Sequence, residues 1–171
     1  AVGFVLGGQP VVAQAPFKYR EYSLQSRVAS VVTISHGRAT DGKTLHERPA
    51  LIQELEWRAP YVGSGTESAD PVREVMFGFY DDQLYEVVVI YDRERMEGLT
   101  SDAVIESISA TYGVPLLRHG RTLPGAASPD VKADAKVLAQ WEDSAALLTL
   151  TRSTYSPQFQ LVLISKALHT Q

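Results

Sequence analysis

Side chains that could act in catalysis or bind a metal are concentrated between residues 36 and 47. His36, Asp41, His46 and Glu47 lie there, and imidazole and carboxylate groups serve both as zinc ligands and as general acids and bases. The stretch lacks the His-Glu-x-x-His spacing that aligns ligands on one helix face. One alternative is therefore a metal-dependent or carboxylate-based hydrolase, with His46, Asp41 and Glu54 as catalytic residues and His36 and His46 as metal ligands. The simpler interpretation is a set of solvated loop side chains.

A second group of carboxylates lies on the predicted strands. Glu54 and Glu56 alternate on one strand face, and Glu74 and Glu86 are candidates to lie opposite them. A glycosidase needs two carboxyl groups in different environments across a cleft. Arg58 and Arg73 lie nearby, so ordinary cross-strand ion pairs explain the pattern more simply.

Other catalytic motifs are missing from the sequence. Ser64 lies in Gly-Ser-Gly-Thr, which differs from the Gly-x-Ser-x-Gly of a nucleophile elbow. There is no phosphate-binding glycine loop, and the mixed charges at residues 92–98 do not follow the spacing of a calcium loop. We therefore predict no catalytic residue, no resident metal and no cofactor.

Composition narrows the class of protein. The 171 residues are 44% hydrophobic and 21% charged, which is typical of a folded domain. A net charge of −4 without a basic stripe argues against nucleic-acid binding. The absence of cysteine excludes disulfides and thiolate chemistry, and no apolar run reaches the ~18 residues of a membrane-spanning helix.

The first 15 residues read as the end of a secretory signal peptide. An apolar stretch at residues 1–8 is followed by Gly and Pro and then by small residues that favour cleavage after Ala13. We expect residues 1–15 to be a residual signal segment and residues 16–171 to form a single domain in the periplasm or outside the cell. The alternative is an ordinary first strand at residues 4–6.

Two amphipathic helices are predicted. In the first, residues 24–36, Val28, Val31 and Val32 share one face, with Ser23 as N-cap and Gly37 as the C′ residue. The second begins after a predicted N-cap at Thr100, carries an apolar stripe and ends at a glycine. Its stripe and end are Val104, Ile105, Ile108, Tyr112 and Gly113.

Three strands are predicted after each helix, at residues 51–58, 72–80 and 84–91 and again at 136–141, 147–152 and 159–166. The helices match at an offset of 76 residues, and each first strand ends near a tryptophan. The pattern indicates an α+β fold of two tandem α-β-β-β units, roughly residues 22–92 and 98–168. We expect one antiparallel sheet with both helices packed on one face.

Such a sheet leaves its other face open to water or to a partner. Period-two alternation assigns to it the residues Glu54, Glu56, Arg58, Met76, Tyr80, Glu86, Thr149 and Thr151. The first six are our predicted binding residues, because mixed polar and aromatic surfaces bind proteins. We predict a non-catalytic module that recognises a protein partner in the cell envelope. A further alternative is a small-ligand carrier that uses the space between helices and sheet.

The order of elements over residues 22–168, with the hairpin Tyr80-Asp81-Asp82-Gln83-Leu84-Tyr85, resembles the β-lactamase-inhibitor-protein fold. It is also similar to small outer-membrane assembly lipoproteins. The resemblance implies the tandem-unit fold. Those inhibitors contain disulfides and the lipoproteins an anchoring cysteine, and this chain has neither, so the resemblance assigns no functional residue.

Overall fold

The computed structural model describes residues 16–37, 41–48, 50–59, 70–118, 135–153 and 158–169. Ten strands and three helices follow one another in these ranges. In chain order they are β1 (Lys18–Tyr19), β2 (Tyr22–Ser23), α1 (Val28–Ile34), β3 (Gly42–His46), β4 (Ile52–Arg58), β5 (Val72–Tyr80), β6 (Gln83–Tyr91), α2 (Ser101–Tyr112), β7 (Leu117–Arg118), β8 (Ala135–Glu142), β9 (Ala146–Ser153), β10 (Phe159–Ser165) and α3 (Lys166–His169).

An antiparallel sheet of eight strands dominates the fold. Its spatial order is β3-β4-β5-β6-β10-β9-β8-β7, and β1 and β2 form a separate two-stranded hairpin. The α+β class and the antiparallel sheet predicted from the sequence are confirmed. The six predicted strands are all present, and their bounds differ from the prediction by at most two residues.

One face of the sheet, here called the helix face, carries the core. Val31 of α1 and Ile105 of α2 lie in the same buried cluster as Leu55, Phe77 and Leu163 of the sheet. Every second residue of β5 is buried there, which is the pattern of a strand with one face in the core. The helices therefore pack against the same face.

Helix α2 matches its prediction closely. The Thr100 hydroxyl accepts a hydrogen bond from the Ala103 N–H at 3.2 Å, and Val104, Ile105 and Ile108 are buried. Gly113 follows the helix with a φ of +85°, a backbone conformation that favours glycine.

Helix α1 is shorter than predicted. It begins after Arg27 instead of Ser23, and the Val28 N–H donates to Asp82 Oδ1 at 3.1 Å. It ends at Ile34, and His36, with a φ of +54°, takes the left-handed conformation expected of Gly37. The predicted caps were wrong because the helix is capped at its start by a turn 54 residues later in the chain.

Four strands were not predicted: β1 and β2 of the small hairpin, and β3 and β7 of the main sheet. β3 is exposed at every residue and β7 has two residues, so neither shows the apolar alternation that identifies a strand. They are held by backbone pairing with β4 and β8 at the two edges of the sheet. Each of the main helices is thus followed by four strands rather than three. The described residues include no helix long and apolar enough to cross a membrane.

Candidate functional site

The face opposite the helices, here called the outer face, brings the predicted binding residues together. Three rows cross β4, β5 and β6 in register: Glu54–Gly78–Glu86, Glu56–Met76–Val88 and Arg58–Glu74–Ile90. Tyr80 pairs with Ile52 at the end of β5. Because directly opposed residues of a sheet point to the same side, the six predicted residues share one face.

Exposure varies strongly across the outer face. Its centre is buried: Val88 and Val162 are each 2% exposed, and with Ile164 they form a second apolar cluster. Thr149 and Thr151, which the sequence assigns to an open face, are buried as well. The expectation of an open sheet face therefore holds on β4, where Glu56 and Arg58 are exposed. It holds only partly on β5, where Met76 and Tyr80 are half-buried, and it fails at the centre.

A register shift between Gly78 and Phe79 changes which residues of β6 reach the outer face. Period-two alternation puts Tyr85 on the helix face with Val87 and Val89. Instead, the Tyr85 ring lies over Gly78 on the outer face, and Leu84 fills the core. The alternation failed because a bulge inserts an extra residue into one strand. A similar register shift occurs in β8 between Val137 and Ala139. It places Val137 opposite Thr151.

The exposed and half-buried part of this face is called the outer strip and consists of Glu54, Glu56, Arg58, Met76, Tyr80 and Tyr85. Alternation alone misplaces the Tyr85 side chain, and the sequence signal for the bulge is the isolated Gly78 inside a strand pattern. Glu86 adjoins the strip but is 3% exposed, so it offers almost no contact area.

Carboxylates outnumber cations on and beside the outer strip. Four carboxyl groups lie on or beside the strip, those of Glu54, Glu56, Glu74 and Glu86, against three cations, Arg58, Arg73 and the Lys43 that lies opposite Glu54. Arg58 forms ion pairs with Glu56 and, at 4.0 Å, with Glu74. The exposed Arg58–Glu56 pair contributes little to stability, about 0–1 kcal/mol.

The structure does not assemble the alternative hydrolase site. His36, Asp41, His46 and Glu47 are all exposed, and the His46 Nδ1 accepts a hydrogen bond from the Arg48 N–H at 3.1 Å. Within the described ranges, no three His, Asp or Glu side chains are grouped as metal ligands would be. Glu54 of β4 lies directly opposite Lys43 of the neighbouring strand β3.

Some predictions lie outside the described residues, namely the signal segment at residues 1–15 and Ser64. The outer strip is therefore the candidate site that the geometry provides. The chain matches no protein-family model, no curated protein and no solved structure, so its function has to be argued from this geometry.

Proposed function

We propose that the protein is an exported, non-catalytic recognition module that binds a partner protein of the cell envelope through the outer strip. The observation that carries the proposal is the register of β4, β5 and β6, which aligns Met76, Tyr80 and Tyr85 with the acidic side chains on a rigid sheet. Partly exposed aromatic and methionine side chains bordered by charges are typical of protein interfaces.

Charge indicates what kind of partner fits. Since the strip itself carries two carboxylates, Glu54 and Glu56, against one cation, Arg58, a partner surface rich in Lys and Arg is favoured. Charges at the border of an interface act mainly on the association rate and on the choice of partner. Contact area would come from Met76, Tyr80 and Tyr85, and Glu54 and Glu56 would orient the partner.

The order of the strands supports the tandem-unit part of this proposal. β3 to β6 follow α1 and β7 to β10 follow α2, and the two sets meet at β6 and β10 in mirrored order. An arrangement of this kind is expected from two related units that share one sheet. It is compatible with the resemblance to the inhibitor and lipoprotein folds, which we retain as a proposal about fold.

Site-specific photo-crosslinking tests the binding surface. p-Benzoylphenylalanine replaces Tyr80 in cells that naturally produce the protein, and the matched control carries it at Glu106, on the exposed side of α2. We expect irradiation to give a discrete adduct from position 80 and none from position 106. Glu56→Lys should reduce the adduct, and Glu106→Lys should leave it unchanged. Equal adducts from both positions, or an adduct insensitive to Glu56→Lys, would contradict the proposal.

Export is tested separately. We expect the protein recovered from the envelope fraction to begin at Gln14, as mass spectrometry of its N-terminal peptide would show. Recovery from the cytoplasm with residues 1–13 still attached would overturn the export proposal without affecting the outer strip.

A further inference from the structure

A cavity of about 340 Å³ lies between the β1–β2 hairpin and the end of the sheet formed by β9 and β10. Its lining includes Phe17, Leu24, Ala145, Ala146 and Ser165. Its volume is at the lower end of the range of ligand pockets, about 300–1,000 Å³. It is located on the helix-face side of the molecule, since Phe17 and Ala146 belong to that core, and is separate from the outer strip.

Hydrogen bonds hold the walls of this cavity in place. The Phe17 N–H donates to Asp143 Oδ2 at 2.6 Å, and the Ala146 N–H donates to Asp143 Oδ1 at 2.6 Å. On the other side, the Gln25 N–H donates to the Leu84 carbonyl at 2.7 Å. Because both walls are tied to the sheet, the cavity is formed in advance and a ligand would not have to order it.

The chemistry of the lining defines a class of ligand. The buried wall is apolar, with Ala146 fully buried and Phe17 nearly so, whereas Lys18 is exposed and brings a cation to the lining. Both oxygens of the nearby Asp143 carboxylate already accept backbone N–H groups. We propose that this cavity binds a small monocarboxylate with a short aliphatic or single-ring body, the apolar part against Leu24 and Ala145 and the carboxylate near Lys18.

Calorimetric titration of the whole protein with octanoate tests the inference, with 1-octanol as the neutral probe of the same length. We expect octanoate to bind and to shift the amide resonances of Phe17, Ala145 and Ala146. Ala145→Leu should fill the cavity and weaken octanoate binding roughly tenfold or more, since packed sites do not accept extra methylenes without strain. Ala110→Leu, which adds the same side chain on the exposed side of α2, should have no effect.

Lys18→Met tests the carboxylate. We expect it to weaken octanoate binding about two- to fivefold, as an exposed ion pair would, and to leave octanol binding unchanged. Octanoate that does not bind at millimolar concentration, or that binds the Ala145→Leu variant as it binds the unaltered protein, would overturn the site. Equal affinity for octanoate and octanol would overturn the carboxylate assignment. The resonance shifts of the unaltered protein decide the location even if a variant is poorly folded.

Discussion

The ring of Tyr85 occupies the space above Gly78 on the outer face, so that a Cβ built on Gly78 would lie 3.1 Å from Tyr85 Cε1. Glycine at this position of β5 therefore has a packing reason. The bulge that follows Gly78 turns Tyr85 toward it, and the ring takes the place of the missing side chain. The two residues form one unit of the outer strip.

Gly78→Val is expected to lower the free energy of unfolding by about 1–3 kcal/mol, because the new side chain must displace the Tyr85 ring. In a Tyr85→Ala background the same substitution should cost less, since the obstructing ring is gone. Urea denaturation of the four proteins of this double-mutant cycle measures the coupling, expected at about 0.5–3 kcal/mol. Additive effects of the two substitutions would show that the contact is unimportant.

Asp82 has two structural roles, and three different substitutions can distinguish them. It has a φ of +63° in the β5–β6 turn, and its Oδ1 accepts the Val28 N–H at the start of α1. Asp82→Ala should lose both the tolerance of positive φ and the cap, Asp82→Gly should lose the cap alone, and Asp82→Asn should keep both.

We expect the stability measured in urea to fall in the order Asn, Gly, Ala, with a cap contribution of about 0.5–2 kcal/mol. The exposed ion pair of Asp82 with Arg27 at 3.7 Å should add little to these differences. A Gly variant as stable as the Asn variant would mean that the long-range cap contributes nothing to α1.

Asp143 should hold the N-terminal hairpin to the sheet. Its Oδ2 accepts the Phe17 N–H, and its Oδ1 accepts the N–H groups of Ala145 and Ala146. Asp143→Ala is expected to cost about 2–3 kcal/mol, since hydrogen bonds to a charged group contribute about 1.5–3 kcal/mol.

Asp143→Asn is the matched control, because its amide retains one acceptor oxygen and can keep the turn at Ala145 and Ala146. Hydrogen exchange followed by NMR should then show faster exchange at the Phe17 amide and little change at Ala146. Unaltered exchange at Phe17 in this variant would argue that the hairpin is held by other contacts.

Alkaline pH should destabilise the fold through buried tyrosines. Burial raises the pKa of Tyr91 to about 12 and also raises the pKa values of Tyr19 and Tyr112. An unfolded tyrosine has a pKa of about 10, so the folded state holds its proton more tightly. The contribution of each group to stability is fully present below pH ~10 and is lost as pH rises through the folded pKa, at about 1.4 kcal/mol per pH unit.

The melting temperature should therefore fall between pH 10 and pH 12. The melting temperature of the Tyr91→Phe variant should fall less steeply over this range than that of the unaltered protein. Ionisation of the tyrosines is read from the absorbance at 295 nm. A Tyr91→Phe variant with the same pH dependence as the unaltered protein would show that Tyr91 ionises as readily in the folded state as in the unfolded one.

The period of the apolar residues, together with helix caps that lie close in sequence to their helix, predicted much of this fold. Helix α2 was predicted correctly because its N-cap, apolar stripe and terminal glycine are all within 14 residues. The six main strands were predicted because apolar alternation survives wherever one sheet face enters the core. Helix α1 was predicted too long, since its cap comes from Asp82 and no local residue reveals it.

The site was predicted less completely. Six residues were assigned to one face, and the register places them there, because alternation along β4 and β5 is regular up to Gly78. Tyr85 was assigned to the wrong face and the centre of the sheet was expected to be open. A single inserted residue reverses the face of its neighbours, and burial depends on what surrounds the sheet.

The amino-acid sequence by itself determined the α+β class, the second helix, the main strands and the face on which most of the outer strip lies. These features depend on interactions between residues close in the chain and on the period with which apolar side chains recur. The tertiary structure alone decided the strand order, the edge strands β3 and β7, the bulge that places Tyr85 over Gly78, and the cavity beside Phe17. Each of these depends on contacts between segments far apart in sequence, and local propensity carries no information about such contacts.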